Sequence, residues 1–299
     1  MSNSTENIVI TGCSEGGIGN ALAIEFHKQG YKVFATSRRL ESMSNLIDMG
    51  IQIVQMDVTD DTSVSEAEKV IRNETGGKLH YLINNAGQPL ASPAIDLEIP
   101  IVHNLMEVNL YGVMRTNTVF QKQLIRAKGT IVHTNSIASY VPLVFQAAYN
   151  ASKAALLAYA NTLRVELAPF GVQVTSIMTG LISTSVFKKP NSKLNEESIS
   201  VNSIYYPYRT DLLSAPSFGD KATMSAQQYA EEVFQKLTAR GRWYQSFRKG
   251  VRPAQLWAGQ HSQLIRMASF FPIEGFTLPV RFMAKLPANA TIDNDNDID

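Results

Sequence analysis

The sequence predicts an α/β fold of a single domain, in which a doubly wound parallel sheet carries helices on both faces and a lid is inserted towards the C-terminus. Short β-rich runs alternate with helical patterns through the first half of the chain, at about thirty residues per unit, which is typical of a parallel sheet covered by helices. The chain has 299 residues, 44% of them hydrophobic and 18% charged, which is enough to bury a large core. Length alone would also allow two small domains.

Six strands are predicted from runs of apolar and β-branched residues, at Asn7–Thr11, Lys32–Thr36, Ile51–Met56, Tyr81–Asn84, Gly129–Asn135 and Val172–Met178. Helical patterns fill the intervals, over about residues 17–29, a stretch ending at 49, then 62–74, 101–127 and 147–167. The last of these helices is stopped near Pro169 and Gly171. Six strands in this order form a doubly wound sheet, which binds ligands at the carboxyl ends of its strands, where the winding reverses.

The regular pattern breaks after Ser183. Residues 188–218 are rich in Asn, Ser, Pro and Tyr and show no sustained periodicity before a helix near Ala226–Ala239. Long irregular segments in compact domains are usually lids or disordered, and we predict that residues 183–218 close over a substrate. The tail at 287–299 is polar and acidic and is predicted to be disordered, which leaves a domain of residues 1–286.

An apolar region covers about residues 252–286. It contains no apolar run of 18 residues, which excludes a membrane-spanning helix. We favour its packing as a lid or as the surface of a homo-oligomer. The alternative is peripheral contact with the endoplasmic reticulum membrane or a lipid droplet.

Charge and cysteine content argue against several classes of function. The formal net charge is +1 and no block of Lys and Arg is present, so we expect no nucleic-acid partner. Cys13 is the only cysteine, so neither an internal disulfide nor a cysteine-based metal site can form. We expect no metal, because the histidines also lack ligand spacing: His27, His80, His103, His133 and His261. Residues 1–7 lack the basic and apolar regions of a secretory signal, and we expect a cytoplasmic protein.

A glycine-rich loop joins the first strand to the first helix and reads Thr-Gly-Cys-Ser-Glu-Gly-Gly-Ile-Gly from Thr11 to Gly19. Glycines in this position let the backbone approach a pyrophosphate, and the helix N-terminus offers unpaired N–H groups to its charge. This context predicts a Rossmann-like dinucleotide site, whose candidate contacts are Gly12, Ser14, Gly17, Ile18 and Gly19. Cys13 could be a reactive thiol at this helix end, but we favour a small inert residue that fills a tight loop.

The end of the second strand indicates which dinucleotide binds. Dinucleotide-binding sheets that take NAD place an acidic residue there, whereas those that take NADP offer Arg or small polar groups to the 2′-phosphate. This chain reads Thr-Ser-Arg-Arg from Thr36, with no acid before Glu41. A guanidinium can bind the extra phosphate bidentately. We therefore predict NADP, with Arg38 as its contact; the alternative for Arg38 is a solvated helix start.

Several polar residues are expected at the same edge of the sheet. Tyr149 and Lys153 are one turn apart on one face of a predicted helix. Ser136 follows the fifth strand, Asn109 lies in the long helix, and the segment Asn-Asn-Ala-Gly from Asn84 ends the fourth strand. Each could be structural: Asn109 could cap a helix, Ser136 could pair strand-end backbone groups, and Tyr149 could be a surface aromatic.

Taken together with the glycine loop, these residues resemble the short-chain dehydrogenase/reductase family over about Asn7 to Thr184. The resemblance implies a catalytic tetrad of Asn109, Ser136, Tyr149 and Lys153. Tyr149 would be the proton donor, Ser136 would hydrogen-bond the substrate carbonyl, and Lys153 would hold the nicotinamide ribose, with Asn109 anchoring a water that relays protons. It also implies cofactor contacts at Asp57, Asn85, Ala86, Gly87, Tyr149, Lys153, Gly180, Ile182 and Thr184.

Reduction of a carbonyl by hydride requires a proton donor, which explains the tyrosine and lysine of the tetrad. Hydride addition builds negative charge on a carbonyl oxygen, which a general acid must protonate. A free phenol titrates near about 10, and we expect the Lys153 ammonium and the oxidised nicotinamide to lower the pKa of Tyr149. Two departures from the family pattern stand out. The glycine loop is one residue longer than usual around Glu15 and Gly16, and Thr179 replaces the Pro of the usual Pro-Gly.

Three stretches, at about residues 78–88, 127–132 and 177–180, look like those of the fungal NADPH-dependent 1-acyldihydroxyacetone phosphate reductases within this family. This resemblance implies a small hydrophobic, lipid-like ketone as substrate and a secondary alcohol as product. A first alternative is a ketoreductase or dehydrogenase that tailors a polyketide or terpenoid in fungal secondary metabolism. A second is a non-catalytic regulator that binds NADPH.

Overall fold

A seven-stranded parallel sheet forms the centre of the computed structural model, which describes residues 5–188, 192–215, 221–239 and 252–270. The strands run in the order β3-β2-β1-β4-β5-β6-β7, and every neighbouring pair is parallel. Their bounds are β1 Asn7–Thr11, β2 Lys32–Ser37, β3 Gln52–Gln55, β4 Tyr81–Asn84, β5 Thr130–Ser136, β6 Gln173–Thr179 and β7 Gln255–Ala258. This confirms the doubly wound α/β fold. The winding reverses between β1 and β4.

Helices cover both faces of the sheet. Their bounds are α1 Ile18–Lys28, α2 Ser44–Ile47, α3 Asp61–Thr75, α4 Ile99–Met106, α5 Gly112–Ala127, α6 Ala147–Leu167, α7 Arg209–Ser214, α8 Ala226–Thr238 and α9 Ser262–Ala268. On one face, α1 and α8 pack their apolar side chains against the sheet around Phe26 and Tyr229. On the other, α3, α5 and α6 pack around Ile71, Phe120 and Ala160. No helix in the described ranges combines the length and apolarity that a membrane crossing requires.

Local sequence sets where these helices begin and end. The Asp60 carboxylate accepts hydrogen bonds from the backbone N–H groups of Thr62 and Ser63 at 2.8 and 3.1 Å, which caps α3. Gly76 closes the same helix in the left-handed region, with φ of 60°. Ser225 and Gln228 form a reciprocal capping box at the start of α8.

The prediction of six strands was wrong by one. Gln255–Ala258 forms β7, which pairs with β6 from Ser176 to Thr179 at the edge of the sheet. The apolar segment that was expected to be a lid or an oligomer surface therefore contributes Leu256–Ala258 to the core, where each side chain is buried. Arg252 fixes the start of this strand through hydrogen bonds to Thr130 and Gln173. The predicted acidic tail at 287–299 lies outside the described residues.

The long helix predicted over Ile101–Ala127 is interrupted. A π-helical turn at Glu107–Tyr111 separates α4 from α5. Single π turns inside helices are frequent at functional sites, and this one carries Asn109. The segment predicted to be an irregular lid contains more regular structure than expected, since α7 and short 3₁₀ turns lie in its described part.

Candidate active site

A cavity of about 380 Å³ opens at the carboxyl edge of the sheet. Fifteen residues predicted as site residues line it: Gly12, Ser14, Gly17, Ile18, Arg38, Asp57, Asn85, Ala86, Gly87, Ser136, Tyr149, Lys153, Gly180, Ile182 and Thr184. Gly19 and Asn109 lie behind the lining rather than in it. The predicted constellation is thus brought together in one place.

The ends of β1 and β4 lie so close together that the loop after β1 has no room for a side chain at Gly12 or Gly19. The Asn85 side-chain amide donates to the carbonyls of Thr11 and Gly12 at 2.9 and 3.1 Å. Gly12 has φ of +74°, and a Cβ on it would lie 2.8 Å from Ala86 Cα. A Cβ on Gly19 would lie 2.5 Å from Asn85 Nδ2. The backbone therefore carries no side chain at Gly12 or Gly19, which lets a pyrophosphate approach it closely.

Three serine hydroxyls meet beside this loop. Ser14 Oγ lies 3.2 Å from Ser37 Oγ and 3.1 Å from Ser42 Oγ, and the last two are 3.0 Å apart. Arg38 and Arg39 line the cavity next to them. Hydroxyl donors and guanidinium groups together suit a phosphate dianion. Ser37 and Ser42 were not predicted as site residues, because no pattern in the sequence links positions so far from Ser14.

The tyrosine, serine and lysine of the tetrad converge from two elements. α6 carries Tyr149 and Lys153 one turn apart, and Lys153 Nζ lies 5.8 Å from the centre of the Tyr149 ring. The ammonium donates a hydrogen bond of 2.9 Å to the Thr134 carbonyl on β5. Ser136, at the end of β5, shares a side-chain hydrogen bond with Tyr149 and accepts one of 3.1 Å from the Ala138 N–H.

Burial shifts the ionisation of these groups. It raises the pKa of the Tyr149 phenol, and the hydrogen bond with Ser136 opposes that rise. The rise is opposite to the lowering that we expected from Lys153 and the oxidised nicotinamide, because burial of the phenol is its largest cause. Burial also lowers the pKa of Lys153 to about 8. Behind them, burial and the nearby Lys153 charge lower the pKa of His133 to about 3, so that this imidazole is neutral.

Asn109 is fully buried and tied to the loop after β4. Its side chain accepts from the Gln88 N–H at 2.9 Å and donates to the Gln88 carbonyl and to Ser152 Oγ, each at 3.0 Å. A Cβ on Gly87 would lie 3.3 Å from Asn109 Oδ1 and 3.7 Å from Lys153 Nζ. Asn109 is therefore the neighbour of Lys153 across Gly87, and it does not cap a helix.

Two buried polar atoms of the cavity wall are unpaired among the described residues. They are Thr134 Oγ1 and Asn135 Nδ2. Unpaired buried groups are costly, and they are expected to find a partner in a ligand or water. Together with the glycine-rich loop and the serine cluster, these two atoms fit a phosphorylated dinucleotide in this cavity.

Neither a metal site nor a reactive thiol is found in the described part of the chain. It contains no group of three or more His, Cys, Asp or Glu side chains that could hold a metal ion. Cys13 is fully buried, and burial raises the pKa of its thiol to about 12. The thiol is therefore inert at neutral pH, in line with the interpretation of Cys13 as a small filling residue.

Comparison with known families agrees with this geometry. A family model described as short chain dehydrogenase matches residues 6–195. The chain is a short-chain dehydrogenase. This membership confirms the resemblance that the glycine loop and the tetrad positions indicated.

Relatives of this short-chain dehydrogenase include two fungal proteins. The NADPH-dependent 1-acyldihydroxyacetone phosphate reductase of Schizosaccharomyces pombe is 56% identical over 283 residues, which cover 95% of each chain. The short-chain dehydrogenase PC-15 of Penicillium crustosum is 42% identical over 76% of this chain and 82% of its own. Among solved structures, a short-chain dehydrogenase from Streptomyces avermitilis superposes with a TM-score of 0.73 at 22% identity, over 95% and 96% of the two chains, which shows the shared fold.

The structure explains one of the two departures from the family pattern. Thr179, which stands in place of the usual Pro, ends β6 and lines the cavity. Its hydroxyl lies 2.7 Å from the hydroxyl of Tyr229, a fully buried residue of α8. The threonine thereby links α8 to the floor of the cavity, which a proline side chain could not do.

Proposed function

We propose that this short-chain dehydrogenase uses NADPH to reduce the ketone of a hydrophobic, lipid-like substrate to a secondary alcohol, with 1-acyldihydroxyacetone phosphate as that substrate. One observation carries the reaction: the Tyr149 and Ser136 hydroxyls and the Lys153 ammonium line the same cavity as the glycine loop. The substrate is supported by the S. pombe relative, an NADPH-dependent 1-acyldihydroxyacetone phosphate reductase that is 56% identical to this chain.

The residues of the cavity account for binding of the cofactor. The glycine loop with Gly12 and Gly17 would hold the pyrophosphate at the N-terminus of α1. Arg38 and the cluster of serine hydroxyls would bind the 2′-phosphate, which NAD lacks. Asp57, Asn85, Ala86, Gly180, Ile182 and Thr184 complete the proposed contacts. When bound, NADPH supplies the hydride that is added to the carbonyl carbon.

The protein supplies the proton that balances this addition. The Tyr149 phenol gives its proton to the carbonyl oxygen as the C–O double bond becomes a single bond, which completes the alcohol. The Ser136 hydroxyl, already bonded to Tyr149, is placed to donate to the same oxygen and to stabilise its developing charge. The Lys153 ammonium favours the phenolate that this transfer leaves.

Asn109 is proposed to hold a water that helps to return a proton to Tyr149 after the reaction. Its side chain is fixed by both backbone groups of Gln88, and it adjoins Lys153 across Gly87. A water held in this position could pass a proton to Lys153 and then to Tyr149. This role agrees with its burial and with its place in the π turn.

The lining of the cavity favours an apolar substrate. Ile137 and Leu143, from the segment between β5 and α6, line it together with Leu181 and Val186. The last of these belongs to the proposed lid at residues 183–218, whose described part also contributes Ser185 and Ser192. Apolar walls around a few polar groups are typical of small-molecule sites.

A direct assay tests this function. Purified full-length protein is mixed with NADPH and 1-hexadecanoyl dihydroxyacetone phosphate, and the expected products are 1-hexadecanoylglycerol 3-phosphate and an equal amount of NADP⁺. A panel of ketones without phosphate serves as the comparison. Turnover of polyketide or terpenoid ketones alone would favour the role in secondary metabolism. NADPH binding without turnover of any ketone would favour the regulator.

Two expectations about partners accompany this proposal. α9 and the residues after it expose Leu264, Met267 and Phe270, with exposed fractions of 62%, 69% and 82%. Exposed apolar groups of this size support contact with another surface, either in a homo-oligomer or on a membrane or lipid droplet. Sedimentation of the purified protein alone and with phospholipid vesicles would separate the two.

A further inference from the structure

The longer glycine loop, the second departure from the family pattern, projects across the cofactor cleft. Ser14 to Gly17 form a tight turn, closed by a 3.1 Å hydrogen bond from the Gly17 N–H to the Ser14 carbonyl. The Glu15 N–H donates to the Ser42 carbonyl at 2.8 Å, and Gly16 has φ of +73°. The turn is therefore held in one conformation, in which the Glu15 and Gly16 carbonyls accept no hydrogen bond from within the turn.

Those carbonyls are bonded to the segment that follows β6. The Ser185 N–H donates to the Gly16 carbonyl at 3.0 Å, and its hydroxyl donates to the Glu15 carbonyl at 3.4 Å. The contact is close, since a Cβ on Gly16 would lie 3.3 Å from Ser185 Cβ.

The same segment is anchored at three further points. The N–H groups of Gly180, Leu181 and Ser183 donate to the carbonyls of Ala258, Gln260 and Met224, at 2.9, 3.0 and 2.8 Å. Thr184 lies between two of the anchored residues, Ser183 and Ser185, and it lines the cavity. Two hydrogen bonds therefore fix the position of Thr184. Ser183 before it is bonded to Met224, just ahead of α8, and Ser185 after it is bonded to Gly16 of the glycine loop.

We propose that Glu15, Gly16 and Ser185 form a clasp that positions Thr184 against the bound dinucleotide and slows its release. The inference rests on the proposed use of NADPH. Gly17 and Ile18 line the cavity on the loop side and Thr184 and Val186 line it on the other, so a dinucleotide that leaves between them requires the clasp to open. These are positioning residues, because nothing in their geometry brings them to the reacting atoms.

Two independent substitutions break the clasp from opposite sides. Ser185→Pro removes the N–H donor, and its matched variant Ser185→Ala keeps that donor and loses only the 3.4 Å bond. Gly16→Ala places a methyl group against Ser185 and strains a left-handed residue. Its control is Gly30→Ala, which carries the same strain at φ of +86° with no atom within 4 Å.

The measurements are the dissociation rate of NADPH, by stopped-flow displacement with excess NADP⁺, and amide hydrogen exchange at Ser185 in the ligand-free protein. We expect Ser185→Pro and Gly16→Ala to accelerate dissociation by about 3- to 10-fold, the effect of one backbone hydrogen bond. Gly30→Ala should leave the rate unchanged, and Ser185→Ala should change it less than Ser185→Pro. The Ser185 amide should be protected in the wild type and lose protection in Gly16→Ala.

Each result decides the matter. Unchanged dissociation in both clasp variants, or an unprotected Ser185 amide in the wild type, would overturn the clasp while leaving the proposed reaction standing. Faster dissociation without reduction of any ketone would support the clasp and refute the reaction. A wild type that binds no NADPH would overturn both. If Ser185→Pro fails to fold, Gly16→Ala against Gly30→Ala gives the answer alone.

Discussion

The Lys153 ammonium lies 5.8 Å from the centre of the Tyr149 ring and donates a 2.9 Å hydrogen bond to the Thr134 carbonyl. A backbone carbonyl thus fixes the cation above the phenol, and the same burial that holds it lowers the pKa of Lys153 to about 8. The charge that would stabilise a Tyr149 phenolate is therefore present at neutral pH and is lost in mild alkali.

This relationship predicts a pH dependence. We expect kcat/KM for NADPH, which reports ionisations of the free protein, to fall as the pH rises through about 8, where Lys153 loses its proton. Tyr149 stays protonated over this range because burial raises its pKa, and His133, with a pKa of about 3, contributes no change. Rates measured between about pH 6 and 9 check this; a flat profile would refute the lowered pKa of Lys153.

We expect the serine cluster and Arg38 to determine the preference for NADPH over NADH. Arg38→Asp should lower NADPH affinity by roughly 10- to 100-fold and leave NADH affinity unchanged or improved, because a charged hydrogen bond is replaced by repulsion. Ser42→Ala should lower NADPH affinity by about 3- to 10-fold without affecting NADH.

Fluorescence titration with both dinucleotides measures these effects. Ser44→Ala, an exposed serine two residues further along the chain, is the matched control. Tighter binding of NADH than NADPH by the wild type would show that the residues at the end of β2 were misinterpreted.

The hydrogen bond between Thr179 and Tyr229 should contribute to stability. Tyr229→Phe leaves the Thr179 hydroxyl with only a 3.4 Å contact to the Ile177 carbonyl, and we expect a loss of about 1 to 3 kcal/mol in the free energy of unfolding. Thr179→Val should cost a similar amount. The double variant should cost less than the two losses added, because it leaves no buried hydroxyl unpaired. Urea unfolding measures all three, and strict additivity would contradict the pairing.

The sequence was sufficient for the parts of the site that follow a strand. Asn85, Ser136 and Gly180 each come directly after or at the end of a β-rich run, and parallel strands bring their carboxyl ends to one edge. Tyr149 and Lys153 share a helix face by spacing alone. The structure brings these residues to one cavity, because local pattern and topology determine where they lie.

Other features depend on contacts that no local pattern records. β7 is only four residues long and lies within an apolar segment. Its sequence therefore cannot be told from that of a lid or of an oligomer surface. The π turn at Glu107–Tyr111 keeps nearly the same apolar periodicity as an α-helix. The approach of Ser37 and Ser42 to Ser14, and of Ser185 to Gly16, joins segments that only the folded chain brings together.

Substitution of the proposed proton donor tests the central claim most directly. Tyr149→Phe keeps the ring and removes the hydroxyl, so ketone reduction should fall by roughly 10²- to 10⁴-fold, while NADPH affinity stays within a factor of about three because the removed group makes one neutral hydrogen bond. Tyr111→Phe, at an exposed ring, should retain full turnover. Wild-type turnover by Tyr149→Phe, measured from NADPH consumption with 1-hexadecanoyl dihydroxyacetone phosphate, would contradict the account.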